Sequence, residues 1–232
     1  MKRILILFLP LLLFAAAARG AVREDVYFID TPSASILPAR SFGINTRVIS
    51  AGGMLAYFDF AISGRFSIGV SETIEHLIGT NEQNIKLLAP ALQLKLRAYD
   101  GSDDMPALAV GFDNQGFAYD HDEHKYLQTA RGAYITAVKE IIAPGLIAAL
   151  GANITVNGFE FDKPACFAGA AYNIADIFSV MAEWDNIRNI ADSRANGGVR
   201  VYLYDSFSFD FALRNFNNKA ERIIQLKYAL AI

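Results

Sequence analysis

The sequence predicts an all-β chain that closes into an antiparallel transmembrane β-barrel of about twelve strands. Three observations carry this. The last residues alternate: Ile224, Leu226, Tyr228, Leu230 and Ile232 are large and apolar, while Gln225, Lys227, Ala229 and Ala231 are polar or small. That is a strand of period two with one greasy face. An open strand edge with an unbroken apolar face is an aggregation hazard in water, and it makes sense when the face meets lipid and the edges are paired. Next, hydrophobic residues make up 53% of the chain and charged ones 19%, with 17 Phe and 10 Tyr. Yet beyond residue 20 no run of roughly eighteen apolar residues occurs, so the apolar residues are dispersed, as in alternating strands. Finally, charge within the alternating segments falls on the face opposite the apolar residues.

Taken in order, the chain opens on Lys2 and Arg3, an apolar core from Ile4 to Phe14 and small residues from Ala15 to Ala18. This is the pattern of an export signal over 1–20, cleaved after Ala18 or Gly20. Residues 21–40 form a polar lead-in whose Pro32 and Pro38 argue against regular structure. The barrel is expected over 41–232. Phe42, Ile44, Thr46 and Val48 share a face opposite Asn45 and Arg47. A hairpin at 51–53 leads to Met54, Ala56, Phe58, Phe60 and Ile62, opposite Tyr57 and Asp59. After Ser63-Gly64, Phe66, Ile68 and Val70 alternate with Arg65, Ser67, Gly69 and Ser71.

A long connection, 73–90, precedes Leu92, Leu94 and Leu96, which alternate with Gln93, Lys95 and Arg97. Beyond the Asp100-Gly101 turn, Leu108, Val110 and Phe112 oppose Gly111 and Asp113. A polar loop, 114–128, leads to a strand of weak contrast at 129–140 and a turn at Pro144-Gly145. Leu146 to Ile154 alternate again, and a loop at 157–163 leads to 164–173, whose faces the pattern leaves open. Phe178, Val180, Ala182 and Trp184 oppose Glu183 and Asp185, and a loop follows at 186–195. Val199, Val201 and Leu203 oppose Arg200 and Tyr202. Phe207, Phe209, Phe211 and Leu213 oppose Asp210 and Arg214, and 215–220 turn into the closing strand with Lys227 on its polar face.

The strands, about eight to eleven residues each, suit a tilted crossing of a bilayer. Connections alternate between tight and long, the habit of membrane barrels with short periplasmic turns and longer external loops. The lumen-facing charges expected to carry function are Arg47, Asp59, Arg65, Lys95, Arg97, Asp113, Glu183, Asp185, Arg200, Asp210, Arg214 and Lys227. On the lipid face an Arg or Lys near the midplane costs about 2–4 kcal/mol, which explains their segregation. The closing strand, pairing with Phe42 to Ser50, removes both sheet edges. Its Ile224, Leu226, Tyr228, Leu230 and Ile232 resemble the C-terminal signal recognised by barrel-assembly machinery, with Ile232 where Phe or Trp is usual.

Other chemistry finds little support. The net charge of −3 and the lack of a basic stripe exclude nucleic acid as a partner. The lone Cys166 excludes an internal disulfide, and its small and aromatic neighbours suggest a packed, inert thiol. His76, His121 and His124 all fall in loops, and His121-Asp122-Glu123-His124 reads as a solvated segment rather than a metal site. No catalytic residue, metal or cofactor is expected.

TPSASILPARSFG at 31–43, HLIGT at 76–80 and PALAVGFDNQGF at 106–117 resemble the YjbH-like outer-membrane family of bacteria. The resemblance implies a role in exopolysaccharide production or export, in a short single-barrel version, and no catalytic residues. The expected function is therefore a non-enzymatic outer-membrane barrel: a narrow channel or an accessory envelope factor. The alternatives are a barrel enzyme that hydrolyses or acyl-modifies lipid through a rim Ser-His pair, or a plugged structural or adhesive barrel. The expected partners are outer-membrane lipid, the barrel-assembly machinery, and polysaccharide or other envelope proteins.

Overall fold

The computed structural model describes residues 25–79, 85–157, 159–174, 177–188, 193–204 and 206–231. The export-signal segment 1–20 and Ile232 lie outside them. Among the described residues fifteen strands form: β1 (Ser41–Ile49), β2 (Gly53–Ser63), β3 (Phe66–Glu75), β4 (Lys86–Leu87), β5 (Ala91–Tyr99), β6 (Ala107–Asp113), β7 (Phe117–Asp120), β8 (Lys125–Gln128), β9 (Ala130–Glu140), β10 (Leu146–Asn157), β11 (Glu160–Ile174), β12 (Phe178–Ile187), β13 (Arg194–Tyr204), β14 (Phe207–Arg214) and β15 (Glu221–Ala231). Twelve of them make a closed antiparallel barrel. The pairing runs from β1 through β2, β3, β5, β6 and β9 to β15, and β15 returns to β1. β4 adds two residues to β3, and β7–β8 is a separate hairpin beyond the wall.

The closing seam is the one the terminal alternation predicts. Phe42 faces Leu230, Ile44 faces Tyr228, Thr46 faces Leu226 and Val48 faces Ile224. Every wall strand therefore has two partners, and no backbone edge is left for lipid to desolvate. Outward positions are apolar and uncovered by protein: Phe58, Val70, Leu150, Trp184, Phe211 and Ile224 all stand exposed on the outer surface. A continuous apolar belt of this size is the mark of a surface that meets hydrocarbon. Inward positions are small or polar: Gly43, Ser67, Ser71, Thr136 and Ser179 are among the lumen residues.

Several expected boundaries shift. The predicted loop 157–163 shrinks because β10 and β11 continue to Asn157 and from Glu160, and the loop 186–195 gives residues to β12 and β13. Part of 73–90 belongs to β3 and β4, and 114–128 contains β7 and β8. Polar side chains misled the reading there, because strands that run past the hydrocarbon need no apolar face. The weak contrast of β9 has a different cause. Between β10 and β9, Ile154 faces Ala133 but Val156 faces Ala130, so β9 carries an extra residue. Gly132, with φ +70°, makes this bulge. A bulge breaks the period of two and re-aims the side chains above it. In β11, Ala165, Phe167 and Ala171 face inward, while Cys166 is exposed on the outer surface rather than packed inside.

The largest departure concerns the lead-in. Residues 25–37 do not trail from the barrel; they occupy its lumen. The segment folds on itself through Phe28 N–H to the Thr31 carbonyl (3.0 Å) and Ser33 N–H to the Val26 carbonyl (3.0 Å), with Tyr27 bridging Pro32. Phe28, Ile29, Thr31, Ala34, Ile36 and Leu37 are all at most 5% exposed. The hairpin enters from the end where the short turns lie, since 38–40 lead directly into β1. Its tip, 28–31, points toward the end that bears the long loops. We call these the turn end and the loop end.

Candidate functional site

The wall is shaped to hold this hairpin. Its apolar side, Phe28 and Ile29, packs on Ala149, Ala171, Met181, Ala212 and Ile223, inward positions from three neighbouring strands, β10 to β12, and from β14 and β15. Nearer the turn end, Ile36 and Leu37 pack on Ala61, with Val26 and Ala229 beside them. Small wall residues make room. A Cβ on Gly169 would stand 3.0 Å from Thr31 Oγ1, and one on Gly43 would stand 3.0 Å from a Leu37 methyl.

Polar groups then satisfy what the irregular backbone leaves unpaired. Glu183 on β12 accepts the backbone N–H of Ile29 (2.7 Å), Asp30 (2.9 Å) and Thr31 (2.8 Å), and the Thr31 hydroxyl (2.7 Å). Three successive N–H groups turned onto one carboxylate form an anion-binding nest. The hairpin carbonyls are taken by cations of the wall. Arg47 donates to Ile29 (2.8 Å), Arg200 to Phe28 (2.7 Å), Arg131 to Asp30 (3.2 Å), and Lys95 to Val26 (2.8 Å) and Ser33 (3.2 Å).

The hairpin's own acids complete the set. The two oxygens of Asp30 go to different arginines, Oδ1 to Arg47 Nη1 at 2.7 Å and Oδ2 to Arg214 Nε at 2.5 Å. Burial pushes the Asp30 carboxyl up, but Arg214 and then Arg47 outweigh it and hold it well below the usual carboxylate range. Asp25 pairs with Arg200 at 2.6 Å and accepts the Tyr202 hydroxyl.

The inward-facing charges of the sequence reading fall into two tiers. Toward the loop end lie Arg47, Asp113, Glu183, Asp185 and Arg214. Asp185 bridges Arg131 (3.1 Å) and Arg194 (2.8 Å). Toward the turn end lie Asp59, Lys95, Arg200, Asp210 and Lys227. Asp210 takes both Arg200 (2.8 Å) and Lys227 (3.1 Å). Asp59 lies over Gly69, where a Cβ would come within 2.4 Å of its oxygen. One expected lumen charge is not in the lumen. Arg65 sits in the β2–β3 turn, whereas Arg97 keeps the inward parity of Lys95, opposite Ala109 near the end of β5; both pair with Asp100 at the turn-end rim. The tight turn takes Arg65 out of the strand, so the parity that assigned it inward does not apply. Of the terminal strand, Ile224 and Leu226 stand on the exposed outer surface, and Tyr228 and Leu230 continue the same register.

Sequence reasoning missed Asp25, Asp30, Arg131 and Arg194. The apolar residues within 26–37 hinted that the lead-in is buried, and a Gly inside a strand, beside Arg131, signals a bulge. It also missed that the 114–128 loop folds inward at its start. Gln115, 3% exposed, accepts the Ser71 hydroxyl (2.7 Å) and donates to the Gly116 carbonyl (2.6 Å). Phe117 then lies over Arg214, with 4.0 Å from guanidinium carbon to ring centroid, and over Arg47 at 5.8 Å. The Arg47–Arg214 pair is thus held between Asp30 on one side and Phe117 on the other.

Two cavities flank the N-terminal hairpin, and a third of about 750 Å³ lies under the β7–β8 hairpin beside Thr73, Glu75, His76 and Phe117. One of about 570 Å³ lies between the hairpin tip and the loop end, lined by Asp30, Arg47, Arg131 and Arg194 among others. The other, about 600 Å³, lies at the turn end beside Asp25, Asp59, Tyr202 and Lys227. Tyr27 and Asn45 line both and stand between them. The histidines offer no Ser partner among the described contacts. His121 Nε2 meets Glu75 Oε2 at 2.6 Å and its ring lies edge-on to Tyr119, which ties the β7–β8 hairpin to the end of β3. Among the described residues no group of His, Cys, Asp and Glu is arranged to hold a metal.

No described protein family matches the chain, and no curated protein matches it. Solved structures do. The chain is similar to the KdgM porin, at 10% identity over 81% of this chain and 98% of that one, with a TM-score of 0.55. It is similar to the KdgM porin in complex with disordered oligogalacturonate, at 8% identity over the same shares, 81% and 98%, with a TM-score of 0.54. The outer membrane protein Omp33 of Acinetobacter baumannii is aligned at 10% identity over 83% of this chain and 97% of that one, with a TM-score of 0.43. At such identities the likeness to the KdgM porin is one of fold: this chain folds as a porin-like β-barrel.

Proposed function

We propose that the chain is an outer-membrane channel for acidic oligosaccharides, non-enzymatic, whose lumen is held shut by its own N-terminal hairpin. One observation carries this reading: the Asp30 carboxylate sits where Arg47 and Arg214 converge. A lumen that buries paired arginines against a carboxylate is built for carboxylates, and a uronate chain is a series of them. The KdgM porin, whose fold this chain shares, has been captured with oligogalacturonate. The resemblance to the YjbH-like family adds a link to exopolysaccharide. Two of the three stretches that carry it, 31–43 and 106–117, are the hairpin with its joint to β1 and the strand leading into the infolded loop.

The chain reaches its membrane through the export signal at 1–20. The terminal alternation from Ile224 to Ile232 presents it to the assembly machinery, and replacing Ile232 with Phe raises assembly yield if that strand is the signal. The turn end is periplasmic and the loop end external.

A second reading, a permanently plugged scaffold, draws on the apolar packing of Phe28 and Ile29. Planar-bilayer conductance separates the two. The channel reading expects low conductance from the intact protein, and open pores blocked by oligogalacturonate but not by neutral malto-oligosaccharide once 25–37 are deleted. A deleted barrel that still reaches the outer membrane and conducts nothing favours the scaffold.

A further inference from the structure

We infer that Asp30 is a built-in ligand: a carboxylate of the permeating solute competes for Arg47 and Arg214, and the hairpin then withdraws as a unit through the turn end. This rests on the channel reading and adds to it what opens the pore.

The argument begins with what the two arginines would have without the hairpin. Arg214 keeps wall partners, Glu221 at 2.9 Å and Gln128 at 2.9 Å. Among the described residues Arg47 keeps one hydrogen bond to the wall, to the Gln225 side-chain carbonyl at 3.0 Å, and the Phe117 ring, since its other hydrogen-bond partners, Asp30 and the Ile29 carbonyl, both belong to the hairpin. Withdrawal alone would leave a buried guanidinium without its ion-pair partner, with the Glu183 carboxylate acting on it only at a distance, which disfavours the open state. A solute carboxylate in place of Asp30 removes that penalty. It binds the open state and not the closed one, so it shifts the population toward open. The loop-end cavity is where the exchange starts, because Asp30 and Arg47 already line it.

The direction of travel follows from the surroundings. The tip is roofed by Phe117 and the infolded Gln115. Both legs lie toward the turn end, where Asp25 meets Arg200 and where 38–40 join β1. The hairpin's internal bonds, Phe28 to Thr31 and Ser33 to Val26, are local and survive the move.

The test places a thiol on the hairpin. Ala34, 1% exposed, becomes the only cysteine in an Ala34→Cys, Cys166→Ala protein reconstituted in liposomes, and its reaction with an aqueous maleimide is timed. The expected result is slow labelling that accelerates at least about tenfold with oligogalacturonate and not with malto-oligosaccharide. Arg47→Gln with Arg214→Gln removes the acceleration. A Thr31→Cys, Gly169→Cys disulfide, which the 3.0 Å approach at Gly169 permits, abolishes oligogalacturonate-dependent conductance until it is reduced. Labelling unchanged by oligogalacturonate, in a protein whose hairpin-deleted form conducts and is blocked by it, overturns the inference and leaves the channel reading standing. A hairpin-deleted barrel that neither conducts nor is blocked overturns the channel reading itself.

Discussion

Glu183 accepts both the backbone N–H of Thr31, at 2.8 Å, and its hydroxyl, at 2.7 Å, across 152 positions of sequence. One wall carboxylate therefore fixes the tip of the hairpin, and the neighbouring N–H groups of Ile29 and Asp30 converge on the same group. Replacing Glu183 with Ala leaves these donors buried and unpaired, at about 1–3 kcal/mol each where no water reaches them. We expect the hairpin to dock at least about 2 kcal/mol more weakly, a rise of roughly thirtyfold in proteolytic cleavage within 25–40. Heat-modifiable migration on a gel should be retained, because the backbone pairing of β12 with β11 and β13 does not use that side chain.

The charge state of Asp30 sets a pH window. Its carboxyl is held low by Arg214 and Arg47 against the opposing effect of burial. A depressed pKa contributes stability that is fully present above the unfolded value, about 4, and is lost as pH falls toward the folded one. Proteolytic or thiol accessibility of the hairpin should therefore stay flat from pH 8 to about 5 and rise only below about pH 4. A step above pH 5 would show that a group other than Asp30 controls the hairpin.

Gly132 places Arg131 against Asp185 by way of the β9 bulge. A Cβ there would stand 2.0 Å from the Ile154 carbonyl oxygen, on a residue with φ +70°. Gly132→Ala should cost about 1–3 kcal/mol, read as a lower urea midpoint for refolding into vesicles. The Arg131–Asp185 pair at 3.1 Å should be lost with it, so adding Arg131→Ala to Gly132→Ala costs less than Arg131→Ala alone.

The outer face makes the opposite demand. Phe211 lies midway along β14 and is 53% exposed on the outer surface. Phe211→Arg should cost about 2–4 kcal/mol in bilayer refolding, because the charge lies in hydrocarbon. Asp210→Asn, one position along and facing inward, should act on the hairpin through Arg200 rather than on insertion, so its effect shrinks when 25–37 are deleted.

Much of the wall is legible because its rule is local. Whether a strand residue meets lipid depends on parity alone, so Phe58 and Asp59, or Phe211 and Asp210, are sorted by the residues beside them. The rule fails where the backbone breaks parity. The β9 bulge hides Arg131 in a segment of weak contrast, and the β2–β3 turn takes Arg65 to the rim. It also loses force beyond the hydrocarbon, where β10 and β11 continue with polar residues that read as a loop.

The sequence by itself determined the closed barrel: the alternation, the terminal strand and its pairing with β1 follow from short-range periodicity and from the need to satisfy every backbone group in lipid. Only the tertiary structure decided what the lumen contains. Arg47, Glu183, Arg200 and Arg214 come from four strands and meet one short hairpin at separations of 17 to 184 residues. No periodicity encodes such meetings. They arise because a closed wall turns its polar faces toward one axis, where buried charges must find partners and the hairpin supplies them.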